Sequence, residues 1–249
     1  MIFLGYPKSG NTWVCYSCAF VASIWFEDID ASPGVYPKAQ TLRRLLKEGP
    51  KCSFNSAILG DSVCKTHDTL KAKDECVFVY LIRDPRDVVI SQIHYVKSFM
   101  PGLSIWRDAQ SPSEVYSILR ARVLAKTPTC SDIRLAKTFA RAWSDHVVKA
   151  YRGKSPYLIR YEDFKTDTRE ELERFIDHFG LRVPSGRIDE CIEFFSFQAL
   201  KDIEANEAKK RVSFFRKGVI GSWKEADPDL VDTIMRNSQP GRELVGCKC

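Results

Sequence analysis

Apolar and polar positions along this chain fall into two rhythms. Ile2–Tyr6 is a short apolar run that stops at a turn, and Cys76–Ile82 is a continuous one. Such unbroken runs mark strands covered on both faces. "PYLIRYEDF", residues 156–164, reads as a further buried strand with its exit loop, and "SAILGDSVCKTH", residues 56–67, holds a weaker strand ending near Lys65. The intervening stretches carry helical spacing. Helices are predicted from Asn11 or Thr12 through Phe20 to about Trp25, over Lys38–Lys47, from Pro85 past Ser91, and over Ser131–Tyr151, Thr168–Phe179, Ser185–Phe194 and Pro228–Met235. Pro85 suits a first helical turn, where no N–H is needed. Pro33 and Pro37 bracket a break, and residues 98–115 and 214–223 read as loops. Strands alternating with helices imply an α/β chain with a central, mostly parallel sheet flanked by helices in three layers. With no internal repeat, residues 1–249 are expected to form a single domain.

Composition narrows this picture. Hydrophobic residues make up 44% of the chain, with 15 Phe and 9 Tyr. That supports a substantial core and argues against disorder. The formal net charge is +6, which suits a small anionic ligand. The longest basic run is Lys209–Arg211, too short for a nucleic-acid stripe. The 9 cysteines are odd in number and irregularly spaced, so a reducing cytoplasm is expected rather than a disulfide framework. Cys15 and Cys18 read as small apolar helix residues. No signal peptide, no membrane anchor and no metal site with zinc-ligand spacing is expected.

The first loop, "GYPKSGNTW", carries the candidate chemistry. Gly5, Gly10 and Thr12 stand where the GxxxxGK[ST] phosphate loop has them, but Asn11 takes the lysine's place and Lys8 lies earlier. Backbone N–H groups at a helix start can still wrap an anion, so the fold is read as P-loop-like. The missing Walker lysine speaks against an ordinary kinase.

"YPKSGNTW" resembles the 5′-phosphosulfate loop of the cytosolic-type sulfotransferases, and three later segments match that family in order. "KTH", Lys65–His67, resembles the segment with the catalytic histidine. "YLIRDPRDVVIS" resembles the 3′-phosphate-binding segment, and "FFRKGVIGSW" the late RKGxxGxW loop. The resemblance implies a sulfotransferase domain using 3′-phosphoadenosine 5′-phosphosulfate (PAPS) and releasing 3′-phosphoadenosine 5′-phosphate (PAP). It implies sulfuryl transfer to a hydroxyl or amine of a small, polar or bulky acceptor, without a metal. Lys8, Ser9, Gly10, Asn11 and Thr12 would surround the 5′-phosphosulfate. Trp13, Tyr161 and Phe197 would contact the adenine. Arg83, Ser91, Arg216, Lys217 and Gly218 would hold the 3′-phosphate. His67 would be the general base, with Lys8 and Lys65 as catalytic cations. Phe195 replaces a residue that is commonly threonine, leaving one base contact absent or supplied by Ser196. After "GSWKEADPDL" no KxxxTVxxxE pattern occurs, so the animal dimer mode is not implied. Cytosolic members carry a few dozen residues before the first strand. Here that strand starts at Ile2, so the acceptor side would be open or walled by residues 99–130.

Physical chemistry supports these roles. Sulfuryl transfer needs an in-line acceptor, and charge grows on the leaving phosphate oxygen, which Lys8 can stabilise. In an extended segment residues i and i+2 face one side, so Lys65 and His67 share a cleft. A histidine titrates near neutral pH, as a base requires. Arg83 directly follows a buried strand, and its planar fork suits a phosphate. Two anion subsites distinguish PAPS from ATP. Asp84, Asp87 and Arg86 read as cap and ion-pair residues, and His146 and His178 as structural. A second function class, a non-catalytic PAP- or nucleotide-binding protein, would have no need for Lys65 and His67.

Overall fold

The computed structural model describes residues 1–22, 25–28, 62–67, 69, 78–99, 132–152, 155–196, 198–199, 201–202 and 218–246. Five strands form one sheet: β1 (Ile2–Gly5), β2 (Trp25–Asp28), β3 (Ser62–Thr66), β4 (Phe78–Ile82) and β5 (Tyr157–Arg160). Their order is β2-β3-β1-β4-β5, and every neighbouring pair is parallel. Among the described residues the helices are α1 (Asn11–Val21), α2 (Pro85–Phe99), α3 (Asp132–Tyr151), α4 (Tyr161–Thr166), α5 (Thr168–His178), α6 (Arg187–Phe194) and α7 (Pro228–Leu244), with a 3-10 turn over Ser222–Glu225. The expected α/β architecture with helices on both faces of a parallel sheet is what the chain adopts.

Side-chain alternation divides the strands between two layers. Phe3, Val79 and Leu81 point into a core shared with α1, α5 and α6, where Val14, Phe164 and Phe175 are buried. Leu4, Tyr80 and Ile82 face the opposite way, against Trp143 and Val147 of α3. A period of two on each central strand therefore holds both helical layers. Burying one such Leu or Phe contributes roughly 1.5–3 kcal/mol.

β1 sits centrally, with β3 on one side and β4 on the other. The chain thus switches direction at β1, and parallel α/β sheets bind ligands outside the carboxyl ends of strands at such a point. Gly5, Thr66, Ile82 and Arg160 end their strands there.

Two elements differ from the hydrophobic pattern. The first helix stops at Val21 rather than near Trp25, and Trp25–Asp28 pairs with Ser62–Lys65 as a strand. Aromatic residues at Trp25 and Phe26 favour the pleated edge of a sheet over another helical turn. The last helix runs past Met235, through Pro240, to Leu244. Gly241 lies in it because α3 comes close: a Cβ there would meet Ser144 Cα at 2.9 Å. Its N–H donates to Ser144 Oγ at 2.8 Å. The segment after β5 is also helical at once, as α4, rather than an exit loop. The helix expected over Lys38–Lys47 lies outside the described residues.

Candidate active site

Three strand ends bring the candidate residues together. After β1 the chain turns over Tyr6–Gly10, with Ser9 N–H donating to Tyr6 O at 3.2 Å. Lys8 has φ 71° and Gly10 φ 89°, both in the left-handed region that costs an L-residue roughly 1–2 kcal/mol. Gly10 is also the point where Tyr161 presses in: a Cβ would lie 2.5 Å from its ring. α1 then starts at Asn11, and the N–H groups of its first turn lack intrahelical acceptors. Lys8 Nζ lies 4.6 Å above the ring of Tyr95 on α2.

Asn11 turns inward. Its Nδ2 donates to Tyr6 O at 2.9 Å and to Gly5 O at 3.3 Å. Its side chain thus clamps the loop from beneath, and Gly5 has no Cβ because Asn11 Oδ1 would lie 2.1 Å from it.

At the end of β3, Lys65 and His67 are buried side by side, with Lys65 Nζ 3.5 Å from His67 Nε2. The spacing i, i+2 does put both on one side. His67 Nδ1 lies 2.6 Å from Gly5 O. A carbonyl oxygen only accepts, so the proton sits on Nδ1 and the lone pair on Nε2. Asn11 Nδ2, 3.3 Å from the same Nδ1, is then a neighbouring donor rather than a partner.

Beyond β4, Arg83 staples two loops. Nη1 donates to Lys8 O at 3.3 Å and Nη2 to Val219 O at 3.1 Å. Its guanidinium lies 4.2 Å over the Tyr161 ring. Tyr161 is raised above the ordinary tyrosine range by burial, partly offset by Arg83. Asp87, fully buried one turn into α2, holds the late loop. Its Oδ2 accepts from Gly221 N–H at 2.7 Å, and its Oδ1 from Ser222 Oγ at 2.7 Å and Trp223 N–H at 3.2 Å. Arg83 Nη2 is 3.9 Å from the same carboxylate. Arg86 is paired with Asp84 and lies 3.7 Å over the Trp223 ring.

Ser91 follows Asp87 by four residues and so shares its helix face; it is half-buried. Thr12 is half-buried at the start of α1. Gly218, with φ 61°, opens the described part of the late loop. Phe197, Arg216 and Lys217 lie outside the described residues. Trp13 is edge-on to Tyr161 at 5.8 Å. Beside it an open cleft is lined by residues including Trp13, Ser17, Lys165, Thr168 and Phe195. Phe195 is buried against Phe20 and Tyr16, while Ser196 Oγ accepts from Ala199 N–H.

Two buried polar atoms at this face have no hydrogen-bond partner among the described residues: Ser9 Oγ and Arg83 Nε. Both are donors on residues that border the strand-end crevice. Among the described residues no group of three His, Cys, Asp or Glu side chains is placed to hold a metal ion, and no helix is long and apolar enough to cross a membrane.

The sequence pattern did not reveal what Asp87 and His146 touch. Asp87 was legible only as a cap or ion-pair residue. Its loop partners lie far away in sequence, as does the His67 carbonyl that His146 meets.

The strand ends thus form an α/β crevice bordered by a glycine-bounded loop at a helix start, a lysine–histidine pair and a buried arginine. Comparison with known proteins gives the family. The family model for the sulfotransferase domain matches residues 62–235, and the chain belongs to the sulfotransferase family, cytosolic type. It is 23% identical to Sulfotransferase 2A6 of Mus musculus over 97% of this chain and 84% of that protein. To Cytosolic sulfotransferase 1 of Arabidopsis thaliana it is 24% identical, over 98% and 80%. Among solved structures, mouse sulfotransferase SULT7A1 complexed with PAP shares the fold at TM-score 0.57 and 20% identity, covering 99% of this chain and 88% of that one. Retinol dehydratase in complex with androsterone and inactive cofactor PAP does so at TM-score 0.58 and 18% identity, covering 97% and 80%.

Proposed function

We propose that this chain, acting as one domain over residues 1–249, transfers the sulfuryl group of PAPS to a hydroxyl or amine of a small-molecule acceptor. The observation that carries the reading is the Lys65–His67 pair, buried 3.5 Å apart at the strand end beside the anion loop. A protein that only bound the nucleotide would gain nothing from a buried base and cation there.

Bound PAPS supplies an activated sulfuryl group on a phosphate leaving group. The chain's own residues do the rest. First-turn N–H groups of α1 and Ser9 Oγ, a buried donor without a partner, face the 5′ end. Lys8 swings from its seat over Tyr95 to the leaving oxygen, where positive charge lowers the barrier. Arg83 has five N–H donors. Two go to loop carbonyls, and its unpartnered Nε turns to the 3′-phosphate with Ser91 and the late loop. The cleft beside Trp13 takes the adenine.

His67 receives the acceptor's proton at Nε2, because Gly5 O fixes the other nitrogen as a donor. Lys65 Nζ guards that lone pair until the acceptor arrives, then moves onto the sulfuryl oxygens. These roles need no metal. Likeness to the Arabidopsis cytosolic protein supports a cytoplasmic setting, and likeness to 3-beta-hydroxysteroid sulfotransferase of Cavia porcellus supports a small-molecule acceptor.

The test is incubation with labelled PAPS and a panel of phenol, steroid, carbohydrate and amine acceptors. Wild type is expected to transfer label. His67→Ala should lose roughly 10²- to 10⁴-fold in rate while binding PAP within twofold of wild type. Tight PAP binding with no transfer to any acceptor would contradict catalysis, and magnesium-dependent ATP turnover would point to a kinase.

A further inference from the structure

His146 lies in the middle of α3, 1% exposed, and has no place in the chemistry above. Its Nε2 is 3.1 Å from the backbone carbonyl oxygen of His67. Its Nδ1 is 2.8 Å from the hydroxyl of Tyr80, on the central strand β4. The edge of the Tyr6 ring closes the side, at 5.6 Å between centroids. Residues from the ends of β1 and β3 and from the middle of β4 therefore meet on one imidazole.

Proton positions in this chain are determined by what each atom can do. The His67 carbonyl only accepts, so His146 carries its proton on Nε2 and donates it there. In the neutral ring Nδ1 then holds a lone pair and accepts from Tyr80. That hydroxyl stays protonated, since burial pushes it well above the ordinary tyrosine range. A second link of the same kind follows: His67 donates from Nδ1 to Gly5 O. Two carbonyls thus set two histidine tautomers in series. His67 is held at both ends, its ring by β1 and its backbone by α3.

We infer that His146 is a positioning residue for His67, fixing the peptide that carries the base so that Nε2 faces the acceptor. The inference rests on the catalytic reading of His67. Without the bond to its carbonyl, the peptide after His67 loses the anchor that α3 provides. A base displaced by about 1 Å loses on the order of 10²-fold in rate. The PAP contacts proposed for Lys8, Arg83 and the late loop do not pass through His146, so affinity for PAP should not change.

The experiment compares His146→Phe, which keeps a ring and removes both nitrogens, with His146→Gln, which keeps a donor near the Nε2 position. Each is made in wild type and in His67→Ala. Turnover is followed with PAPS and the panel acceptor that wild type uses fastest, and PAP binding by calorimetry. His146→Phe is expected to lower kcat about 10- to 100-fold, with PAP affinity within twofold. His146→Gln should recover part of that loss. In the His67→Ala background neither change should lower the residual rate further, because residues acting as a unit are not additive. An equal loss in both backgrounds, a parallel loss of PAP binding, or no loss would overturn the proposal.

Should His146→Phe fail to fold, His146→Gln and Tyr80→Phe carry the same comparison. Ring-nitrogen NMR of His67 keeps the two readings separable. If wild type binds PAP but transfers nothing, the catalytic reading falls. A His67 signal that shifts in His146→Gln then still supports the positioning contact, and an unchanged one overturns it.

Discussion

At the end of β3, His67 is held by neutral groups. Gly5 O takes the His67 ring proton, and His146 binds the His67 carbonyl. At the end of β4, Arg83 is held by charge and by loops. Asp87 pins Gly221, Ser222 and Trp223, and Arg83 ties Lys8 O to Val219 O. The first region is built into the sheet and orients one lone pair. The second joins segments far apart in sequence and, in the proposed function, gathers donors for an anion. Geometry governs the one and electrostatics the other, so substitutions should separate them.

The largest effect on PAP affinity belongs to the anion side. Removing a charged donor costs about 1.5–3 kcal/mol, so Arg83→Met should weaken PAP roughly 10- to 150-fold in a calorimetric titration. Asp87→Asn comes next. It leaves an amide N–H facing backbone donors, at a cost of about 1–3 kcal/mol. The late loop should loosen, lowering Tm and PAP affinity together, which thermal melts with and without PAP would read. Lys8→Gly should split stability from activity. Glycine relieves the left-handed backbone at φ 71°, adding about 1 kcal/mol to unfolding free energy. The same change removes the cation proposed for the leaving oxygen and should cost about 10²- to 10³-fold in turnover. A variant that lost stability as well would show that Lys8 holds the loop rather than the ligand.

The smallest effect concerns pH. Glu162 accepts from Asp84 N–H at 3.0 Å, and burial raises its carboxyl above the ordinary range. A raised carboxyl binds its proton more tightly in the folded chain than in the unfolded one. Its contribution to stability is therefore most favourable in acid. It declines as pH rises through the window between the unfolded and folded values. Glu162→Gln keeps an acceptor for Asp84 N–H, and should flatten that slope in urea melts run across mildly acidic pH.

What could be read from sequence follows the same division. Lys65 and His67 share a side because two residues of extended chain face one way, and Arg83 reaches the crevice because a buried strand ends just before it. Local geometry is visible in local spacing. Asp87 holding Ser222, and His146 holding His67, depend on contacts across the fold that no spacing encodes. Pro240 and Gly241 look like a helix stop, yet the helix continues because Ser144 supplies an acceptor and the glycine lets α3 approach. The pattern predicts a first helix reaching about Trp25 because so short a strand as Trp25–Asp28 has little periodicity of its own.

The separation of the two regions is tested most directly by titrating PAP and adenosine 5′-monophosphate, which lacks the 3′-phosphate, into wild type, His67→Ala and Arg83→Met. Wild type and His67→Ala should prefer PAP by the same factor, and Arg83→Met should lose most of that preference. A preference that survives in Arg83→Met, or disappears in His67→Ala, would contradict the account.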